Sequence, residues 1–246
     1  MSEVILWSGA GQIGMAIARR IGYGKKIFVG DKNYANAKQA AEIMNNAGFD
    51  VTPLIMDLGS RKSIIEFIAA AKQAGDIIHL INAAGVSPSQ ASIETILQVD
   101  LYGTAALLEE VGRVIKPGGS GITVSSQSSH RIPALSAKED ELLATTDPEK
   151  LLDLDILQPK NIRDTLHAYQ LAKRCNEKRV MYEAVRWGEK GARINSISPG
   201  IIVTPLAIDE FNGIRGDFYK NMFAKSPCRR PGTADAVSYT HLTLPT

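Results

Sequence analysis

Tyr169 and Lys173, in Tyr169-Gln-Leu-Ala-Lys173, set a phenol and an ammonium four residues apart. On a helix that spacing stacks both side chains on one face, one turn apart. An ammonium near a phenol favours phenolate and so lowers a tyrosine pKa from its usual value of about 10. Such a tyrosine can exchange a proton with a substrate hydroxyl near neutral pH. The pair is also common on ordinary amphipathic helices, so its meaning depends on the rest of the chain.

A second group of residues could hold a phosphate. Gly9-Ala-Gly11-Gln12-Ile13-Gly14 follows an apolar run and opens a helix-like segment. The first glycine permits a tight turn, the second lets backbone approach a pyrophosphate, and the third allows close helix–strand packing. Asp31 closes the next apolar run, seventeen residues after Gly14. A carboxylate there can accept hydrogen bonds from both adenosine ribose hydroxyls and would repel a 2′-phosphate, which favours NAD over NADP. The adjacent Lys32 could offset part of that repulsion.

These residues need a scaffold, and the chain alternates short apolar runs with helix-like segments. Strands are predicted at 4–8, 26–30, 50–56, 77–82, 121–125 and 193–197. Helices are predicted at 12–21, 34–47, 62–74, 93–115 and 166–190. That order predicts an α/β fold with a doubly wound parallel sheet and helices on both faces. Ligands bind such sheets at the carboxyl ends of the strands. Each chemistry-bearing motif of the chain falls at one of those ends.

Length and composition narrow the field. The 246 residues suit one α/β domain, and the net charge of +2 gives no surface for nucleic acid or a polybasic membrane contact. Val4-Ile-Leu-Trp7 reads as a buried strand, not a signal peptide. No apolar run is long enough to span a membrane. Cys175 and Cys228 form no disulfide or metal pattern, so a reducing cytoplasm and no metal are expected. His130, His167 and His241 are assigned no catalytic role.

Taken together the motifs resemble the short-chain dehydrogenase/reductase family over about residues 4 to 236. Asn82-Ala83-Ala-Gly85 looks like its N-A-G signature, and Tyr169/Lys173 like its Y-x-x-x-K pair. Ser125-Ser126 stands where the family carries its catalytic serine. Asn195-Ser-Ile-Ser-Pro199-Gly200-Ile-Ile202-Val-Thr204-Pro is similar to the family's N-x-x-x-P-G…T segment. The resemblance implies strand order 3-2-1-4-5-6 and NAD(P)-dependent hydride transfer between a nicotinamide and a secondary alcohol or ketone. By the same resemblance Ser126 binds the substrate oxygen, Tyr169 is the general acid/base, and Lys173 tunes it and holds the nicotinamide ribose. Thr204 would contact the carboxamide, Asp57 and Leu58 the adenine, and Asn82 would also brace neighbouring strands. The cofactor cleft would be completed by Gly9, Gly11, Gln12, Ile13, Gly14, Ala83, Gly85, Pro199, Gly200 and Ile202. A homodimer or homotetramer is the family's usual assembly.

Three departures stand out. The glycine turn is one residue tighter than the family's usual loop. Asp100 occupies the place of a catalytic asparagine that links the lysine to solvent. Forty-three residues separate Ser126 from Tyr169, far more than is usual. The helical insertion, about 127–165, contains two capping-box patterns, Ser136-Ala-Lys-Glu139 and Thr146-Asp-Pro-Glu149. It is read as a lid over the substrate cleft, against the alternatives of a surface helical pair or an oligomer-blocking element. The aromatic segment Leu206–Pro227 is expected to border the pocket. Residues 237–246 resemble translated adapter DNA, and neither a closing helix nor a seventh strand is expected before them. Competing functions are a non-catalytic cofactor sensor or scaffold with the same core, and a nucleotide-sugar epimerase or dehydratase.

Overall fold

The computed structural model describes residues 2–213 and 216–242. Its central sheet is parallel, with β3 (Asp50–Ile55), β2 (Lys26–Asp31), β1 (Glu3–Ser8), β4 (Asp76–Asn82), β5 (Ser120–Val124) and β6 (Arg193–Ile197) side by side in that order. The order 3-2-1-4-5-6 reverses direction between β1 and β4, and the crevice at that switch point is where a doubly wound sheet takes its ligand.

Burial on both faces follows from the period of the strands. On β1, Val4 and Leu6 join one core, while Ile5 and Trp7 join the other. The first core lies under α3 (Arg61–Ala74), α5 (Thr104–Val114) and α8 (Thr165–Gly188). The second lies under α1 (Gln12–Ile21) and α2 (Tyr34–Asn45). Strands buried on both sides read as continuous apolar runs, which is why the sequence shows them clearly.

The helix preceding β5 is not uniform. α4 (Ile93–Ile96) passes into a π-helical stretch, Leu97–Gly103, before α5 resumes regular winding. Such widened turns are often found at functional sites. This one carries Asp100 into the interior, where it has no exposed surface.

Within the insertion, α6 (Ala137–Thr145) and α7 (Pro148–Leu151) lie against α8 and the π-helical stretch. Leu143, Leu151, Leu157 and Ile162 bury themselves with Leu97, Leu101, Ala168, Leu171 and Cys175. Asp140 pairs with Arg174 and Lys178 of α8 at 2.7 and 2.9 Å. Ser136 and Glu139 form the expected capping box, but the second start is capped by Asp147, not Thr146. Glu149 is thereby free to accept from Tyr102 Oη at 2.9 Å and to pair with Arg61 at 3.1 Å. The insertion's leucines find apolar partners on the outer side of α8, and that burial decides its position.

The closing segment also differs from expectation. Ala234–Leu242 forms α11, which lies against α1, with Val237 buried in the second core. Ser238 Oγ accepts a hydrogen bond from Arg20 Nε at 2.9 Å, and the same guanidinium lies 5.1 Å from the Tyr239 ring centre. Residues 243–246 lie outside the described residues.

Candidate active site

Trp7 organises the glycine turn. Its indole Nε1 donates to the Gly9 carbonyl at 2.6 Å. Gly9 has φ +83°, and a side chain there would fall 2.4 Å from Ala84 Cα. A Cβ on Gly14 would fall 2.1 Å from Trp7 Nε1, so that glycine serves helix–strand packing. Gly11 is different: a Cβ on it would meet no protein atom within 4 Å. It caps α1 without a side-chain hydrogen bond, and no acidic residue stands in the first turn. The leading N–H groups and positive dipole end of α1 are therefore open to an anion. The backbone of Gly11, Gln12 and Ile13 fits a dinucleotide pyrophosphate on these grounds.

Asp31 ends β2 beside this turn. Its carboxylate accepts from Ala10 N at 3.0 Å and from Asn33 N at 2.9 Å, which fixes its orientation while leaving lone pairs for ribose hydroxyls. Lys32 turns away to pair with Asp57 at 3.0 Å. Asp57 also accepts from Gly59 N at 2.9 Å. The side chain of Leu58 is buried in the core, where it packs on Gly103. Asn82 likewise turns inward, donating to Thr104 Oγ1 of α5 at 3.4 Å. It braces a helix, not the neighbouring strands as expected.

The carboxyl ends of β4, β5 and β6 surround a cavity of 230 Å³. Of the residues singled out in the sequence, Ile13, Ala83, Gly85, Ser126, Tyr169, Lys173, Pro199, Gly200, Ile202 and Thr204 line it. Gly9, Gly11, Gln12, Gly14, Asp31 and Asp57 lie outside that lining, toward the glycine turn and the end of β2. From the segment 206–227, Phe211, Phe218 and Tyr219 form part of the wall, and Phe223 sits edge-on to Phe211 at 5.3 Å. The insertion contributes only Gln127, Ser128 and Arg131 from its first turn.

The two adjacent serines are distinguished by their partners. Ser125 is buried and donates to the Lys173 carbonyl at 2.9 Å, which ties β5 to α8. Ser126 caps the following 3-10 turn, Gln127–His130, and its Oγ accepts from Ser128 N at 3.1 Å. That bond uses a lone pair, so the hydroxyl proton of Ser126 remains available to a substrate oxygen.

Behind Tyr169 lies a buried ion pair. Lys173 Nζ stands 5.3 Å from the Tyr169 ring centre and 3.6 Å from Asp100 Oδ2. Asp100 Oδ1 accepts from Val86 N at 2.8 Å. Gly85 closes over the pair, since a Cβ there would lie 3.3 Å from Lys173 Nζ and 3.2 Å from Asp100 Oδ1. Burial works against the charge on Lys173, but the charges of Asp100 and Tyr169 outweigh it and hold the ammonium above its ordinary range. Burial pushes the Asp100 carboxyl upward against the pull of Lys173. Asp100 does not line the cavity itself but touches residues that do, Lys173 and Val86.

One residue that sequence reasoning passed over stands beside the site, outside the cavity lining. Glu177 follows Lys173 by one more turn, so Tyr169, Lys173 and Glu177 form a stripe at i, i+4 and i+8 along α8. That spacing was the available signal. Among the described residues no His/Cys/Asp/Glu group is arranged to hold a metal, and no helix is long and apolar enough to cross a membrane.

Comparison with known proteins agrees with this geometry. Residues 3–137 match the profile of the short chain dehydrogenase family, and residues 137–245 match that described as enoyl-(acyl carrier protein) reductase. The chain is 35% identical over 232 residues to the short-chain dehydrogenase/reductase bsc3 of Alternaria brassicicola, covering 94% of this chain and 84% of that one. It is 28% identical over 221 residues to a 7α-hydroxysteroid dehydrogenase of Bacteroides fragilis, covering 85% and 74%. A short-chain dehydrogenase of Burkholderia cenocepacia, solved in complex with NADP, shares the fold with a TM-score of 0.71 at 18% identity, over 95% of this chain and 86% of that one. The chain belongs to the short-chain dehydrogenase/reductase family and is an NAD(P)-dependent oxidoreductase acting between alcohol and ketone.

Proposed function

We propose that this enzyme interconverts a secondary alcohol and its ketone with NAD, using Tyr169 as the general acid/base. The observation that carries the reading is the convergence of Ser126, Tyr169 and Lys173 on one cavity beside the open end of α1. Bound nicotinamide supplies or accepts the hydride. Ser126 donates its hydroxyl proton to the substrate oxygen and holds it facing Tyr169. In the reductive direction Tyr169 Oη gives its proton to that oxygen as negative charge develops there. The Lys173 ammonium stabilises the phenolate left behind, and Asp100 keeps that ammonium charged.

A preference for NAD is supported by Asp31, whose carboxylate is held beside the glycine turn at the end of β2, and by Lys32, whose charge is engaged with Asp57. The wall of Phe211, Phe218 and Tyr219 suits an apolar substrate body. Both cysteines are unpaired, Cys175 buried and Cys228 exposed, which suits a reducing compartment such as the cytoplasm. Assembly into a dimer or tetramer draws support from Met181 and Val185, exposed at 65% and 64% on α8. Light scattering on the purified protein would measure it.

The test is turnover of a ketone and alcohol panel with NADH and NAD, in wild type and Tyr169→Phe. Loss of a positioned acid/base lowers kcat by about 10²–10⁴-fold. Equal turnover in the variant removes Tyr169 from the mechanism.

A further inference from the structure

Glu177 gathers donors from two segments of the chain, 125–130 and Ser198, onto one carboxylate oxygen. Its Oε1 accepts from Ser198 Oγ at 2.5 Å, Ser129 Oγ at 2.6 Å and Ser125 Oγ at 3.3 Å. His130 Nε2 lies 3.2 Å from the same oxygen. The Glu177 side chain is 13% exposed and does not line the active-site cavity.

The donors are all neighbours of groups placed in the site. Ser125 precedes Ser126 at the end of β5. Ser129 and His130 close the 3-10 turn that Ser126 caps. Ser198 precedes Pro199 and Gly200 after β6. Two backbone bonds join the same turns: Ser125 N donates to Ile197 O at 2.8 Å and Gln127 N to Pro199 O at 2.9 Å. Glu177 is itself on α8, one turn from Lys173.

We propose that Glu177 is a positioning residue that clamps the Ser126 turn and the Pro199–Gly200 turn to the helix bearing Tyr169 and Lys173. The inference rests on the assignment of Ser126 and Tyr169 given above. A carboxylate suits the place because it only accepts, and each of the three serines has one proton to give. Ser125 and Ser129 each have a second acceptor in reach, the carbonyls of Lys173 at 2.9 Å and Ser126 at 2.7 Å. Without Glu177 the Ser129 hydroxyl turns to the Ser126 carbonyl, Ser125 keeps the nearer Lys173 carbonyl, Ser198 loses this acceptor, and the two turns are no longer drawn to one point on α8. Ser126 Oγ then drifts relative to Tyr169 Oη, and a small misplacement of reacting groups costs turnover steeply.

The test compares Glu177→Ala with Glu177→Gln, whose amide oxygen can still accept the serine hydroxyls. Glu177→Ala should lower kcat about 10–100-fold, with the Kd for NADH, read by fluorescence titration, changed less than about threefold. Glu177→Gln should restore most of kcat. Ser129→Ala added to Glu177→Ala should cost little more, because both act through one oxygen. Amide exchange at Gln127 and Ser128 should quicken in Glu177→Ala and return toward wild type in Glu177→Gln. Wild-type kcat and unchanged exchange in a folded Glu177→Ala overturn the clamp. So does a loss in Glu177→Gln as deep as in Glu177→Ala. Tyr169→Phe run in parallel separates the two claims: full turnover there refutes the acid/base assignment, and amide exchange alone then judges the clamp.

Discussion

Asp100 faces Lys173 at 3.6 Å across a space closed by Gly85, so the ammonium behind Tyr169 has a buried carboxylate where the family carries an amide. Burial works against the charge on that ammonium, and Asp100, with Tyr169, works for it. Asp100→Asn removes the charge and keeps an acceptor for Val86 N. Lys173 then loses its proton at lower pH, and the alkaline limb of the kcat profile should move toward acid. Asp100→Ala also leaves the lysine buried and unpaired, at a cost of about 3–5 kcal/mol in stability. An unmoved alkaline limb in Asp100→Asn would show that the aspartate does not hold the lysine charge.

The glycine turn offers a paired test of packing against binding. Gly14→Ala drives a methyl into the buried Trp7 indole and should destabilise the fold by about 1–3 kcal/mol. Gly11→Ala meets no protein atom and should leave the melting temperature nearly unchanged. It should weaken NADH binding by roughly tenfold or more, the equivalent of one charge-assisted hydrogen bond of about 1.5–3 kcal/mol. Thermal melts and fluorescence titration together decide the matter. A Gly11→Ala protein with unchanged cofactor affinity would contradict the pyrophosphate assignment.

Cofactor choice turns on Asp31. A carboxylate beside a 2′-phosphate costs several kcal/mol, so Asp31→Ser should raise the NADP to NAD ratio of kcat/KM by roughly 10²-fold. Asp57→Asn frees Lys32 from its ion pair and should raise the same ratio by a smaller factor. If neither variant moves the ratio, the NAD preference does not lie at this strand end.

The strands, the helices and the shared helix face of Tyr169 and Lys173 were legible because each rests on local spacing, whereas the sheet order came from the family resemblance. Period-two burial marks β1, and a four-residue interval marks the helix face. What escaped depends on contacts between distant segments. Glu177 looks like an ordinary helix glutamate until Ser125, Ser129 and Ser198 are brought onto it from two turns. Lys32 and Asp57 are both visible, but their pairing requires β2 and β3 to lie side by side. The insertion was recognised by length and its first cap by pattern. Its docking on α8 depends on Leu143 and Leu157 finding apolar partners such as Leu171 and Cys175. Asn82 and Leu58 fit the family pattern by position, yet their side chains point into the interior.

The docked insertion should therefore behave as part of the core. Leu143 is fully buried against α8, and Leu143→Ala should cost about 2–5 kcal/mol of stability. The insertion helices do not line the cavity, so substrate KM should stay within about twofold of wild type below the new melting point. A large KM change with little loss of stability would restore the lid.

His79 supplies a pH dependence separate from catalysis. It sits on β4 with Nδ1 2.9 Å from Ser120 Oγ, and burial, with Lys25 adding repulsion, lowers its pKa below the ordinary 6.5. The unfolded chain therefore takes up a proton near 6.5 that the folded chain refuses until the pH is lower. In that interval the unfolded state binds more protons, so stability rises with pH and is lost as pH falls below about 6.5 toward the depressed folded value. Denaturant melts of wild type between about pH 7.5 and 5 should show this loss, and His79→Gln should remove its share. A wild-type and a His79→Gln curve that stay parallel across that interval would mean the imidazole titrates alike in both states.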